Sequence, residues 1–249
     1  MVRNPVVASP AVPKPVTAQD FAIAQMQATV FTPDEEVSGA KLMKGLLSRW
    51  QSRFDAEPFL LPVTTGVPRE VPRVVLRTQA GDWRCEISSE RLNLFWHKAR
   101  PDSRVPETFA SDAAQLLNEY IDFLRARVGR MAAVVTRYAQ HPKPALFLAR
   151  HFCQERWDTA PLNRPENFEL HAHKTYVMAN RFKVNSWVRN KTGSVGTEGR
   201  QGPVVVVEQD LNTLFEEAQT NSFSPADVAQ FFNATQREFE TIMDLYYPD

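Results

Sequence analysis

The feature that most constrains this chain is a change of hydrophobic period that occurs twice along it. Alternating apolar residues give way to apolar residues three and four apart, then to several alternating stretches, then to another helical stretch. The first round opens with Phe21, Ile23 and the run Thr29 to Phe31, which predict a strand ending at Thr32-Pro33. Ser38 can cap a following helix on which Met43, Leu46, Leu47, Trp50 and Phe54 share one face. Pro58, Pro62, Pro68 and Pro72 confine the next stretch to loop or edge strand, because proline cannot donate to a central ladder. Val74 to Thr78 and Trp83 to Ile87 then flank the turn Ala80-Gly81-Asp82, and Leu92, Leu94 and Trp96 continue as a further strand.

Thr108 or Ser111 starts a predicted long helix to Tyr138, with Leu116, Leu117, Tyr120, Leu124, Val128, Met131 and Val135 on its apolar face. The prolines of His141-Pro142-Lys143-Pro144 end it. The second round reads as strands over Leu146 to Trp157, Phe168 to Met178, Arg181 to Arg189 and Val204 to Val207. A last helix has the strongest start signal in the chain: Ser224 as cap, Pro225 with its preset φ, and Asp227 one turn in. The fold class is therefore α+β. Two similar strand, helix, strands, helix halves are expected, with antiparallel sheets packed with long helices and the halves either sharing a sheet or packing face to face. The divisions are an extended Pro-rich tail over 1–18, a first half over 19–140 and a second over 141–249, forming one compact unit.

Composition supports independent folding: of 249 residues, 43% are hydrophobic and 23% charged. Basic and acidic residues are equal at 29 each, so no net field draws the molecule onto nucleic acid or an anionic membrane. Any such binding needs a local patch. Cys85 and Cys153 form no framework spacing, which suits a reducing compartment, and a cytoplasmic location is expected. Prolines at 5, 10, 13 and 15 occupy the place of a signal peptide's apolar run, and no stretch is long and apolar enough to span a bilayer. No membrane association is expected.

The order of elements resembles that of a sporadically distributed family of uncharacterised prokaryotic α+β proteins. The segments that carry the resemblance are Pro72-Arg73-Val74-Val75-Leu76, Glu90-Arg91-Leu92-Asn93-Leu94, Val207-Glu208-Gln209-Asp210-Leu211-Asn212-Thr213 and Phe231-Phe232-Asn233. The stretch from Leu146 lacks the Arg-rich aliphatic run expected after the long helix. The resemblance implies a bacterial protein with a place in a mobile-element or antiviral defence system; it supplies no catalytic residues.

The most informative stretch for binding is Leu170 to Thr197, which holds no Asp or Glu but contains Lys174, Arg181, Lys183, Arg189 and Lys191. Strand alternation places Arg181, Lys183, Trp187, Arg189 and Lys191 on one face and Phe182, Val184 and Val188 on the other. Such a face binds single-stranded nucleic acid by stacking bases on the aromatic ring, each worth about 1–3 kcal/mol, while cations neutralise phosphates. It suits an acidic protein surface equally well. It also fits a solvated strand face whose charges pair with acids elsewhere.

His151 with Cys153 and His171 with His173 are spaced i, i+2, so on adjacent strands the four could hold a zinc ion and support a metal-dependent hydrolase. His97 and His141 sit in turn-like contexts and read as solvated. The glycine-rich stretch Thr192 to Gly202 runs into Pro203 and a strand instead of a helix, so it reads as a hairpin loop rather than a phosphate cradle. No nucleophile, base and orienter stand together in the sequence. The residues thus predict a non-catalytic binding or regulatory protein, a subunit of a complex with a protein partner and no cofactor. A single-strand nucleic-acid binder and a metal-dependent hydrolase are the alternatives.

Overall fold

The structure, a computed structural model, describes residues 15–34, 42, 44–61, 66–100, 102–153, 165–197 and 200–249. Strand β1 is Ala22–Phe31, followed by the short helix α1 (Leu47–Trp50), β2 (Phe59–Leu60), β3 (Val74–Arg77), β4 (Trp83–Ile87), β5 (Arg91–His97) and helix α2 (Phe109–Leu124). Then come β6 (Arg130–Gln140), α3 (Pro144–Phe152), β7 (Glu169–Met178), β8 (Phe182–Thr197), β9 (Arg200–Thr213) and α4 (Pro225–Tyr246). All the described strands join one nine-stranded sheet in the order β2-β3-β4-β5-β1-β6-β9-β8-β7. Every neighbouring pair is antiparallel. The α+β class expected from the sequence therefore holds, and strands from early and late in the chain share a single sheet.

The expected long helix is half the predicted length. It stops at Leu124 because Arg125 turns into the left-handed region at φ 56° and donates its N–H back to the last helical turn. Residues 130–140 instead form β6 beside β1 in the middle of the sheet. Met131 and Val135 are four apart, a spacing that keeps two residues on one face of a helix and, being even, on one face of a strand as well. The alternation Met131, Ala133, Val135 and Ala139, all buried, is the period that prevails. Leu146 to Trp157 is corrected the other way. Residues 144–152 are helix α3, with Pro144 at its first turn and Ala145, Leu148 and Ala149 buried at helical spacing. Trp157 lies outside the described residues.

Other expectations fared better. β1, β3, β4 and β5 lie within a residue or two of the predicted strands, and the described part of the proline-rich stretch supplies only the two-residue edge strand β2, Pro62 lying outside the described residues. Helix α4 starts at Ser224 with reciprocal bonds: the Asp227 N–H donates to Ser224 Oγ at 3.2 Å and the Ser224 N–H to Asp227 Oδ2 at 2.9 Å. Leu42, Leu46, Trp50 and Phe54 are buried as the first helical face requires, while Ser38 and Met43 lie outside the described residues. Of the predicted tail, 1–14 lies outside them too; Val16 is already buried, and Ala18 donates to the Tyr247 carbonyl at 2.9 Å. The glycine-rich stretch Thr192 to Gly202, expected as a loop, is instead mostly strand: Gly193 pairs with Val204, Ser194 with Pro203 and Gly196 with Gln201, and Gly199 is not among the described residues.

One face of the sheet carries the core. Val30, Leu92, Leu94, Trp96, Val135, Val207 and Leu211 are essentially inaccessible there, beneath α2 and α4, which pack against each other. Burying side chains of this size stabilises by about 1.5–3 kcal/mol each. Polar pins fix α4 over its strands. Gln209 Nε2 donates to the Phe239 carbonyl at 2.9 Å, Tyr247 Oη to Asn190 Oδ1 at 2.7 Å, and Arg137 grips Glu240 through two bonds of 3.0 and 2.5 Å. No described helix is long and apolar enough to cross a membrane.

Candidate functional site: the sheet face away from the described helices

Side chains alternate across a strand, so parity sorts the sheet into two faces. The helix contacts come from one parity: Trp83 stacks on Phe109 of α2, and Arg137, Tyr176, Asn190 and Gln209 reach the last helix or the residue after it. The opposite parity faces away from every described helix. Register aligns it into rows across the strands. One row runs Val75, Glu86, Asn93, Thr29, Ala132, Asn212, Asn185 and Thr175. Thr29 donates to Asn93 Oδ1 at 2.9 Å and Thr175 to Asn185 Oδ1 at 3.0 Å, so the row holds two bonded hydroxyl and amide pairs. Thr29 is only 1% exposed.

At the β7–β9 end, which we call the tryptophan end, Lys183, Trp187, Arg189 and Lys191 share this face as alternation predicts. Trp187 lies between strand neighbours, stacked on His173 of β7 at 4.3 Å between centroids, with the Arg189 guanidinium 5.4 Å from its ring. Arg181 departs from the prediction. It precedes β8, directly after Ala179 and Asn180, both at φ 52°, and its guanidinium pairs with Asp227 at the start of α4. The Asp227 carboxyl lies below the usual carboxylate range: burial pushes it up, but bonds from Ser224 and the Arg181 charge outweigh that.

The cations of this end are compensated across the ladder. Arg189 lies 2.6 Å from Glu208 and 4.0 Å from Asp210, Lys191 lies 3.8 Å from Glu208, and Lys183 lies 3.3 Å from Glu217. Glu208 and Asp210 belong to β9, directly opposite Arg189 and Trp187. A local sequence window rich in Lys and Arg thus becomes a nearly neutral surface once the next strand is laid beside it.

The end built from β3, β4, β5, β1 and β6, the arginine end, differs. Arg91, Phe31 and Arg130 stand directly opposite one another on β5, β1 and β6. The two guanidinium carbons lie 5.9 and 4.7 Å from the Phe31 ring, and Arg130 is also 5.8 Å from Phe215, a ring 71% exposed. Arg130 donates to the Thr213 carbonyl at 3.1 Å and to Asn212 Oδ1 at 2.9 Å. Arg84 lies 4.5 Å from Phe95, against which His97 also stacks, and pairs with Glu86 at 3.1 Å. Arg73 is 6% exposed. Among the described residues, no carboxylate reaches ion-pair distance of Arg73, Arg91 or Arg130, and the Nε atoms of Arg73 and Arg91 are buried without an acceptor. The charge of Arg91 and the burial of Arg130 act together: burial first, then Arg91, weakens the hold of Arg130 on its proton against the pull of Asp210 and Glu216.

The proposed metal ligands do not come together. His151 and Cys153 lie at the end of helix α3, where His151 stacks on Tyr247 beneath the helix layer, whereas His173 is on the opposite face of the sheet against Trp187. His171 pairs with Glu169 at 3.1 Å. No group of three or more His, Cys, Asp and Glu placed to hold a metal occurs among the described residues. Cys85 is fully buried and its thiol is pushed far up by burial. His141 is not solvated; it is 6% exposed, and its Nδ1 accepts the Lys143 N–H at 3.1 Å. His97 is half-buried at the end of β5. No protein-family model and no curated protein matches the chain.

Proposed function

We propose that this chain is a non-catalytic binding protein of the cytoplasm that holds a protein partner against the helix-free face of its sheet. The observation that carries the reading is the asymmetry of the sheet: helices cover one face, and the other presents Trp187, the bonded hydroxyl and amide pairs and the arginine rows without a described helix over them. A protein partner fits better than nucleic acid at Trp187, because Arg189, Lys191 and Lys183 already have carboxylates and leave little charge for phosphates. Trp and Arg are also the side chains that dominate protein interfaces.

The same reading treats the molecule as two helix-packed halves. Strands β3-β4-β5 end against β1, and β7-β8-β9 end against β6, so the order mirrors about the β1–β6 pair. A short helix follows β1 and another follows β6, and a long helix follows β5 and another follows β9. This supports a boundary near Arg125, earlier than the division at 140. The test is capture from the native host with tagged full-length chain, with and without nuclease, alongside Trp187→Ala and Arg189→Gln chains. A stoichiometric protein retained after nuclease by the wild type and lost by both variants is expected. Recovery that disappears with nuclease, or that ignores both substitutions, removes the reading.

A further inference from the structure

We infer that the arginine end of the helix-free face is the docking site for an acidic segment of that partner, centred on Arg91, Phe31 and Arg130 and flanked by Phe215. The inference rests on the binding reading above and deepens it by naming the chemistry of the partner. Like charges set on either side of one ring repel, and a sheet face that keeps them together with no carboxylate at ion-pair distance is complementary to an incoming anion. Arg91 and Arg130 meet that description among the described residues. Arg73 and Arg84 bring further guanidinium groups to the same face, Arg84 already paired with Glu86, and the Nε donors of Arg73 and Arg91 have no acceptor among the described residues. Guanidinium forks bind carboxylates in pairs of bonds, which gives the site direction as well as charge.

The occupant is a peptide carrying Asp or Glu beside an apolar residue. Phe215, exposed next to Arg130, offers the apolar contact. A single-stranded nucleic acid fits less well, because it needs free aromatic faces for its bases. Phe31 has an arginine on each neighbouring strand, and Phe95, 7% exposed, is already packed by Arg84 and His97.

The probe is a short fluorescent poly-glutamate peptide ending in leucine, with a single-stranded oligothymidine of equal length beside it, titrated with full-length chain at low and physiological salt. Fluorescence anisotropy of the wild type should show salt-sensitive binding of the peptide, tighter than of the oligothymidine. The Arg91→Gln/Arg130→Gln chain should bind the peptide about tenfold or more weakly, whereas Arg49→Gln/Arg237→Gln, which removes equal charge from exposed helix positions, should change it less than about threefold. Matching unfolding midpoints for both doubles exclude loss of fold as the cause. No binding by the wild type, equal losses in both doubles, or tighter binding of oligothymidine overturns the inference. If the captured partner is lost by Trp187→Ala yet held by the arginine double, this inference falls and the binding reading stands. If the peptide binds through Arg91 and Arg130 while the host yields no protein partner, the binding reading falls and the site chemistry remains.

Discussion

The two ends of the helix-free face use similar residues to opposite effect. At the tryptophan end, Arg189 and Lys191 of β8 face Glu208 of β9, and Trp187 is shared between His173 and Arg189. At the arginine end, Arg91 and Arg130 contact Phe31, Phe215 and neutral acceptors, with no carboxylate at ion-pair distance among the described residues. The first arrangement spends its charge inside the protein and stabilises the fold. The second holds charge in reserve for something outside it. A count of basic residues along the sequence ranks the two ends in the wrong order, because what matters is the strand placed next door.

The comparison can be broken most strongly at the support of the arginine end. Gly129 enters β6 against the loop that carries Phe215, and a Cβ there would meet the Ala218 carbonyl oxygen at 2.0 Å. Since backbone cannot swing aside as a side chain does, Gly129→Ala should cost about 3 kcal/mol. Urea unfolding measures it; a loss under about 1 kcal/mol would mean that the loop yields and does not fix the site. At the tryptophan end, Trp187→Ala removes the ring stacked on His173 and should cost about 1.5 kcal/mol, because the site is only half-buried. An unchanged midpoint there would show that the stack contributes nothing to the fold.

Glu208→Gln should cost about 1 kcal/mol, since Lys191 loses its partner and Arg189 the nearer of its two. It should also make the tryptophan end bind the poly-glutamate probe, turning one end into the other. Arg91→Gln is the counterpart: stability should stay within about 0.5 kcal/mol of wild type, or rise slightly as repulsion from Arg130 is relieved, while affinity for the acidic probe drops. If Arg91→Gln destabilises as much as Glu208→Gln, the two ends do not differ as described.

The smallest expected effect is on pH. Burial, and then the Arg84 charge, hold His97 below its ordinary value, and burial holds His141 low. The folded state therefore binds fewer protons than the unfolded one. Stability from these groups is complete above about pH 6.5 and declines as pH falls through the depressed folded values. Thermal midpoints taken from pH 7.5 to 5.5 should fall, and His97→Gln should reduce the slope; an identical slope would assign the titration elsewhere.

The elements that were legible in sequence are those whose signals are local. Ser224, Pro225 and Asp227 announce α4 within one turn, and Gly81 between two apolar runs announces the β3–β4 hairpin. β6 was hidden because Met131 and Val135 satisfy both periods, and only the company of β1 and β9 decides between them. α3 was hidden because Leu146, Phe147 and Leu148 form a continuous apolar run, which has no period to read. The face of Trp187 followed from alternation, yet its neutrality depends on Glu208 and Asp210 and so on register. Arg73, Arg84, Arg91 and Arg130 come from four segments of chain, so no window could have assembled them.

By itself the sequence determined the α+β class, the strands β1 and β3 to β5, the capped final helix and the parity of β8, because each depends on propensity and period within a few residues. Only the tertiary structure decided that a single sheet has one face without described helices, that the cations of β8 are compensated, and that Arg91 and Arg130 meet across Phe31. Those outcomes depend on which strands become neighbours and in what register, and burial of the core face settles that for the chain as a whole.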